Sequence, residues 1–128
     1  MKVDVAGAAI PRLSRREIAE FARRVLRAAR GKIDELSVAF VDDATMRTLN
    51  RKFRRKDKTT DVLTFPDEIV ISVDQARRQA RDEKHSLATE VRYLIAHGIL
   101  HALGYDHETD DGEMNALELR VREKVGLD

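Results

Sequence analysis

The chain has no cysteine and no tryptophan, and only two tyrosines and four phenylalanines among its 128 residues. Without cysteine there can be no disulfide framework, and a transition metal can be held only by histidine or carboxylate. That usage agrees with a reducing compartment, so a cytoplasmic location is expected. No apolar run approaches the ~20 residues of a membrane span. The opening residues, MKVDVAGAAIP, lack the apolar stretch of a secretory signal. No membrane partner is therefore expected. Internal repeats and low-complexity segments are also missing.

What is present is charge and pattern. Apolar residues make up 42% of the chain and charged residues 37%, the balance of a globular protein with a heavily charged surface. The length suits one domain over residues 1–128, with one core. A net charge of +1 conceals an asymmetry. Residues 1–60 carry 16 Lys and Arg against 8 Asp and Glu, a net of +8, while residues 61–128 carry 8 against 15, a net of −7. A basic half can meet a polyanionic partner or the acidic half of its own chain.

Lys2 to Val5 alternates like a short strand. Ser14-Arg15-Arg16-Glu17 is a capping box, and Ile18, Phe21, Ala22, Val25, Leu26 and Ala29 follow at helical spacing up to Gly31. The other face of that helix is arginine-rich. Glu35–Val41 reads as a strand. Asp42 or Asp43 caps a second helix that turns Met46, Leu49 and Phe53 inward. A basic loop runs from Arg54 to Asp61. Val62–Phe65 and Glu68–Val73 read as strands separated by Pro66 and Asp67, a tight hairpin. Ser72-Val73-Asp74-Gln75 starts a polar helix through about Lys84, with His85 as a C-terminal cap. Leu87 to Leu103 is the most apolar helix, with Val91, Leu94, Ile95 and Leu100 as core. Gly112–Val125 is the last, with Met114, Leu117, Val121 and Val125 inward. The order β-α-β-α-β-β-α-α-α predicts an α+β fold with a small mixed sheet of about four strands and about five helices.

One stretch carries the chemistry: His97-Gly98-Ile99-Leu100-His101-Ala102-Leu103-Gly104-Tyr105-Asp106-His107. His97 and His101 are four apart, one helical turn, so both point from the same face. Gly104 can end the helix in a left-handed turn that swings His107 back toward them. Three imidazoles around one ion is the donor set of a catalytic zinc, since the fourth position stays open for water that can lose its proton near neutral pH. Neutral ligands leave the ion its full charge, which favours an anionic substrate such as a phosphodiester. The spacing matches the zinc core of metzincin proteases, and a metal-dependent peptidase or other hydrolase is the alternative reading. The metzincin general base, however, follows the first His, and here that residue is Gly98. A base must then come from the metal-bound water itself, from Asp106 or from the substrate.

The same stretch resembles the signature H-G-x-L-H-x-x-G-Y-D-H of the YbeY family of bacterial rRNA-maturation endoribonucleases. Leu49 to Pro66, reading LNRKFRRKDKTTDVLTFP, resembles a second block of that family, and Glu68-Ile69-Val70-Ile71-Ser72 resembles its G-D-I-V-I-S strand. The family usually has more residues between these last two, so the hairpin at 66–68 is shortened. The resemblance implies an α+β fold, one Zn²⁺ per chain on His97, His101 and His107, and cleavage of single-stranded RNA rather than DNA. It implies work on ribosomal RNA in maturation and quality control, with the small ribosomal subunit or its proteins as partner. It also implies a functional arginine at Arg54, whose guanidinium can hold a phosphate bidentately.

Overall fold

The computed structural model describes residues 1–106 and 110–127. They form, in order, β1 (Lys2–Gly7), α1 (Arg15–Ala28), β2 (Glu35–Val41), α2 (Asp43–Arg54), β3 (Val62–Phe65), β4 (Glu68–Ser72), α3 (Val73–Asp82), α4 (Leu87–Ala102) and α5 (Glu113–Val125). The four strands make one mixed sheet in the order β1-β2-β4-β3. β1 and β4 flank β2 in parallel, and β3 closes the far edge antiparallel to β4. The expected α+β fold is therefore the observed one.

Strand alternation divides the core between the two faces of this sheet. Leu36, Val38 and Phe40 of β2 and Ile69 and Ile71 of β4 join Ile18, Phe21 and Val25 of α1 and Ile95 and Ile99 of α4 in one large cluster. Val70 of β4 and Leu63 of β3 point the other way and pack with Met46 of α2. α4 is buried along most of its length, as its apolar sequence requires. Gly98 lets it approach the sheet: a Cβ there would lie 3.0 Å from Ile69 Cγ2.

Local signals act as their chemistry dictates. Ser14 and Glu17 form the reciprocal capping box of α1. Asp42, rather than Asp43, caps α2 by accepting from the Thr45 N–H at 2.8 Å. Asp43 instead ties three elements together. Its Oδ1 accepts from Thr59 at 3.0 Å, Ser72 at 2.9 Å and Arg78 at 3.0 Å. Burial pushes the Asp43 carboxyl up, but those hydrogen bonds and the Arg78 charge outweigh it and hold the group below its usual range.

Several boundaries differ from the sequence expectation. β1 continues to Gly7, and the strand expected to reach Val73 ends at Ser72, whose hydroxyl caps α3. α1 ends at Ala28. The left-handed residue behind it is Arg30, not Gly31. Gly31 is needed for space instead, since a Cβ there would stand 2.5 Å from the Leu103 side chain. Phe53, expected inward, is 48% exposed. In α5 Glu118 is buried with Met114, Val121 and Val125, while Leu117 is half-buried. His85 does not cap α3 through its ring; its Nε2 meets Glu90 at 2.6 Å, and the ring stacks on Tyr93.

Candidate active site

A cleft of about 570 Å³ opens between the C-terminal half of α4 and the β3 edge. His97, His101, Tyr105 and Asp106 line it from the α4 side, and Arg54, Thr64 and Phe65 from the other. Three of the five residues singled out from the sequence as site residues thus share one cavity with Arg54, a residue more than 40 positions earlier in the chain. His107 lies outside the described residues. Among the described residues no group of three or more potential ligands is assembled.

The two helical histidines converge. Their Nε2 atoms are 3.1 Å apart and their rings are nearly perpendicular, with centroids at 4.6 Å. Two nitrogens bound at ~2.0–2.1 Å to one tetrahedral zinc are separated by about 3.3 Å, so the observed spacing fits a shared ion. Gly104 has φ +101° and supplies the turn expected of it. The Gly104 N–H donates to His101 O at 2.9 Å and the Tyr105 N–H to Leu100 O at 3.1 Å, which closes the helix and leaves Tyr105 and Asp106 lining the cleft.

Glu118 fixes the first histidine. Its Oε1 lies 2.7 Å from His97 Nδ1, and its Oε2 accepts from Arg122 at 2.5 Å. A carboxylate only accepts, which assigns the imidazole proton to Nδ1 and leaves the Nε2 lone pair aimed into the cleft. The Arg122 guanidinium in turn lies 4.8 Å from the centre of the Tyr93 ring, and the Tyr93 hydroxyl donates to Leu127 O at 2.8 Å. α5 therefore acts as a splint behind α4. Sequence reading passed over Glu118, yet a signal was there: 114, 118, 121 and 125 fall on one helical face, and a glutamate on an otherwise apolar stripe calls for a buried partner.

Arg54 is placed by the end of α2. Arg55 adopts φ +58° and stops the helix. The Arg54 guanidinium donates to Thr64 O at 2.8 Å and sits 5.6 Å from the centre of the Phe65 ring. One contact fixes the planar group and leaves its remaining donors for an anion. Asp106 is half-buried on the α4 wall. Gly98 faces Ile69 in the core rather than the cleft, so the position of a metzincin base is turned into the sheet contact. That opposes the peptidase alternative.

The fold and this cleft define a small α+β hydrolase in which a helix-borne histidine pair faces an arginine. The chain belongs to the Endoribonuclease YbeY family, which it matches over residues 9–126. It is 46% identical over 102 residues to the Endoribonuclease YbeY of Nautilia profundicola, covering 73% of each chain. It is 45% identical over 123 residues to that of Solibacter usitatus, covering 90% of this chain and 82% of the relative. A solution structure of a Thermotoga maritima protein shares the fold at TM-score 0.64 and 27% identity, over 96% of this chain and 88% of that one. The family is one of metal-dependent nucleases. Among the described residues no helix is long and apolar enough to cross a membrane.

Proposed function

We propose that this chain is a zinc-dependent endoribonuclease that cuts single-stranded RNA. His97, His101 and His107 would hold one Zn²⁺, Arg54 the phosphate at the point of cleavage, and Asp106 a proton. The observation that carries this reading is the 3.1 Å convergence of the two Nε2 atoms in a cleft whose other wall presents Arg54. When bound, the ion supplies positive charge that polarises the phosphodiester and eases deprotonation of the attacking nucleophile.

The chain's own residues do the rest. Glu118 keeps the proton of His97 on Nδ1 throughout. Arg54, braced on Thr64 O, binds a non-bridging phosphate oxygen and offsets the charge that grows on it as a fifth oxygen approaches phosphorus. Asp106 is the carboxylate of the α4 wall that accepts the proton of the attacking hydroxyl or water and returns it to the oxygen released as the opposite P–O bond breaks. In the cell we assign the substrate to ribosomal RNA, in maturation and quality control, with the small ribosomal subunit as partner in the cytoplasm. Family membership supports that assignment.

The test is substitution of His97 or His101 by alanine, followed by metal analysis and cleavage of a defined single-stranded RNA. Both variants should lose the metal and the cleavage together. Cleavage at the wild-type rate by either variant overturns the reading. The cut ends separate the two modes of attack, because a 2′,3′-cyclic phosphate requires the neighbouring 2′-hydroxyl.

A further inference from the structure

Phe53 occupies a position that helical spacing assigns to the core, yet it is 48% exposed. Few large apolar side chains among the described residues are as open. The others are Met1, Leu119 and Tyr105, and Tyr105 is itself on the cleft. Phe53 is not loose. Its ring meets Phe65 edge-on, with centroids 5.4 Å apart and planes at 78°. Phe65 lines the cleft and lies under the Arg54 guanidinium. An aromatic shelf therefore runs outward from the phosphate-binding arginine.

Its surroundings are cationic. The Lys52 ammonium lies 5.3 Å from the centre of the Phe53 ring. Arg54, Arg55 and Lys56 follow directly, all exposed. Among the nearby carboxylates, Asp57 in the same loop is engaged by Arg47 at 2.8 Å and Arg51 at 3.7 Å. The loop bearing these charges is held in place, with Asn50 Nδ2 donating to Lys58 O at 2.9 Å and the Lys56 N–H to Asn50 O at 3.3 Å. An exposed aromatic ring with exposed cations beside it suits an unpaired nucleobase: a base can displace the flexible Lys52 chain from the ring and stack there, while Arg54 and its neighbours meet the phosphates. Inside a duplex both faces of a base are covered by its stacked neighbours, so the shelf is open to a base that can leave the stack and closed to one held within the helix.

We infer that Phe53, backed by Phe65, stacks an unpaired base of the RNA next to the phosphate held by Arg54, and that this contact selects single-stranded over paired substrate. The inference rests on the endoribonuclease reading above and adds a base subsite to it.

The test moves an abasic nucleotide, one position at a time, through a single-stranded RNA cut by the zinc-loaded protein. Wild-type, Phe53→Leu and Phe53→Tyr proteins are compared. Leucine keeps the apolar bulk and removes the π face; tyrosine keeps both. Stacking of one base on an aromatic side chain is worth about 5- to 150-fold by removal. One abasic position should therefore lower wild-type kcat/KM by about that factor, mainly through KM. Phe53→Leu should lower it as much on intact RNA and become indifferent to the abasic site, and Phe53→Tyr should behave as wild type. The preference for single strand over a matched duplex should narrow in Phe53→Leu by the same factor. An unchanged KM in Phe53→Leu, or an abasic penalty equal in Phe53→Leu and wild type, overturns the shelf while RNA cleavage itself stands. Failure of the wild-type protein to cut any RNA overturns the nuclease reading and the shelf with it.

Discussion

Replacing Glu118 tests how far the proposed metal site extends into the fold. The glutamate is 7% exposed and joins His97 Nδ1 at 2.7 Å to Arg122 at 2.5 Å. Glu118→Ala removes the acceptor that fixes both the tautomer and the ring angle of His97. His97 can then carry its proton on Nε2, the atom that would hold the proposed ion. Loss of such an outer partner weakens metal binding by about 10- to 100-fold, or roughly 1.4–2.7 kcal/mol. Removing one member of a charge pair that is largely out of water also costs stability. The upper range is ~3–5 kcal/mol, and Arg122, with 27% of its side chain exposed, should fall below it. Glu118→Gln can still accept at Nδ1 but brings an amide that has lost the charge opposite Arg122, and should lie between. The assay is zinc competition against a chromophoric chelator, with a thermal melt of each metal-free protein to separate affinity from stability. Zinc affinity in Glu118→Ala within twofold of wild type would refute the argument.

Other outcomes follow from single contacts. Arg54→Lys should lower kcat/KM on RNA by about 10-fold or more, since an ammonium replaces the braced planar fork only as a point charge; wild-type kinetics in that variant would show that Arg54 does not hold the phosphate. Gly98→Ala places a methyl 3.0 Å from Ile69 Cγ2; an overpacking cost of ~1–3 kcal/mol against a helix-propensity gain of about 1 kcal/mol should leave a net loss of at most ~2 kcal/mol, read as a lower Tm. The folded-state pKa of Asp43 lies below its unfolded value of about 3.9, so its contribution is fully present above that pH and is lost as pH falls through the folded value. The stability gap between wild type and Asp43→Asn in denaturant titrations should therefore be constant from pH 5 to 8 and shrink below about pH 4. A gap that widens on acidification would contradict the sign.

Much of this was legible in the sequence, because the signals were short-range. His97, His101 and Gly104 needed only helical spacing and one left-handed turn. Ser14 with Glu17 is a local pairing, and Pro66 with Asp67 left room only for a two-residue hairpin between β3 and β4. What stayed hidden depended on partners distant in the chain. Hydropathy ranks Leu117 as core and passes over Glu118, and only the packing of α5 behind α4 shows the glutamate serving His97. Gly31 looked like a helix stop, but its smallness is used against Leu103, 72 residues later. Phe53 lies on the helical stripe of Met46 and Leu49, and nothing local shows that the sheet ends beneath it. Arg54 could be given a role only through the family block; the structure adds that α2 and β3 carry it to the histidines.

In the proposed mechanism, cleavage of RNA depends on an ion held by the α4 histidines. The direct measurement is metal content of the purified protein together with RNA cleavage before chelation, after it, and after zinc is restored. We predict one zinc per chain, loss of cleavage on chelation, and recovery with zinc in the wild-type protein but not in His101→Ala. Full nuclease activity in protein shown to be metal-free would contradict the account.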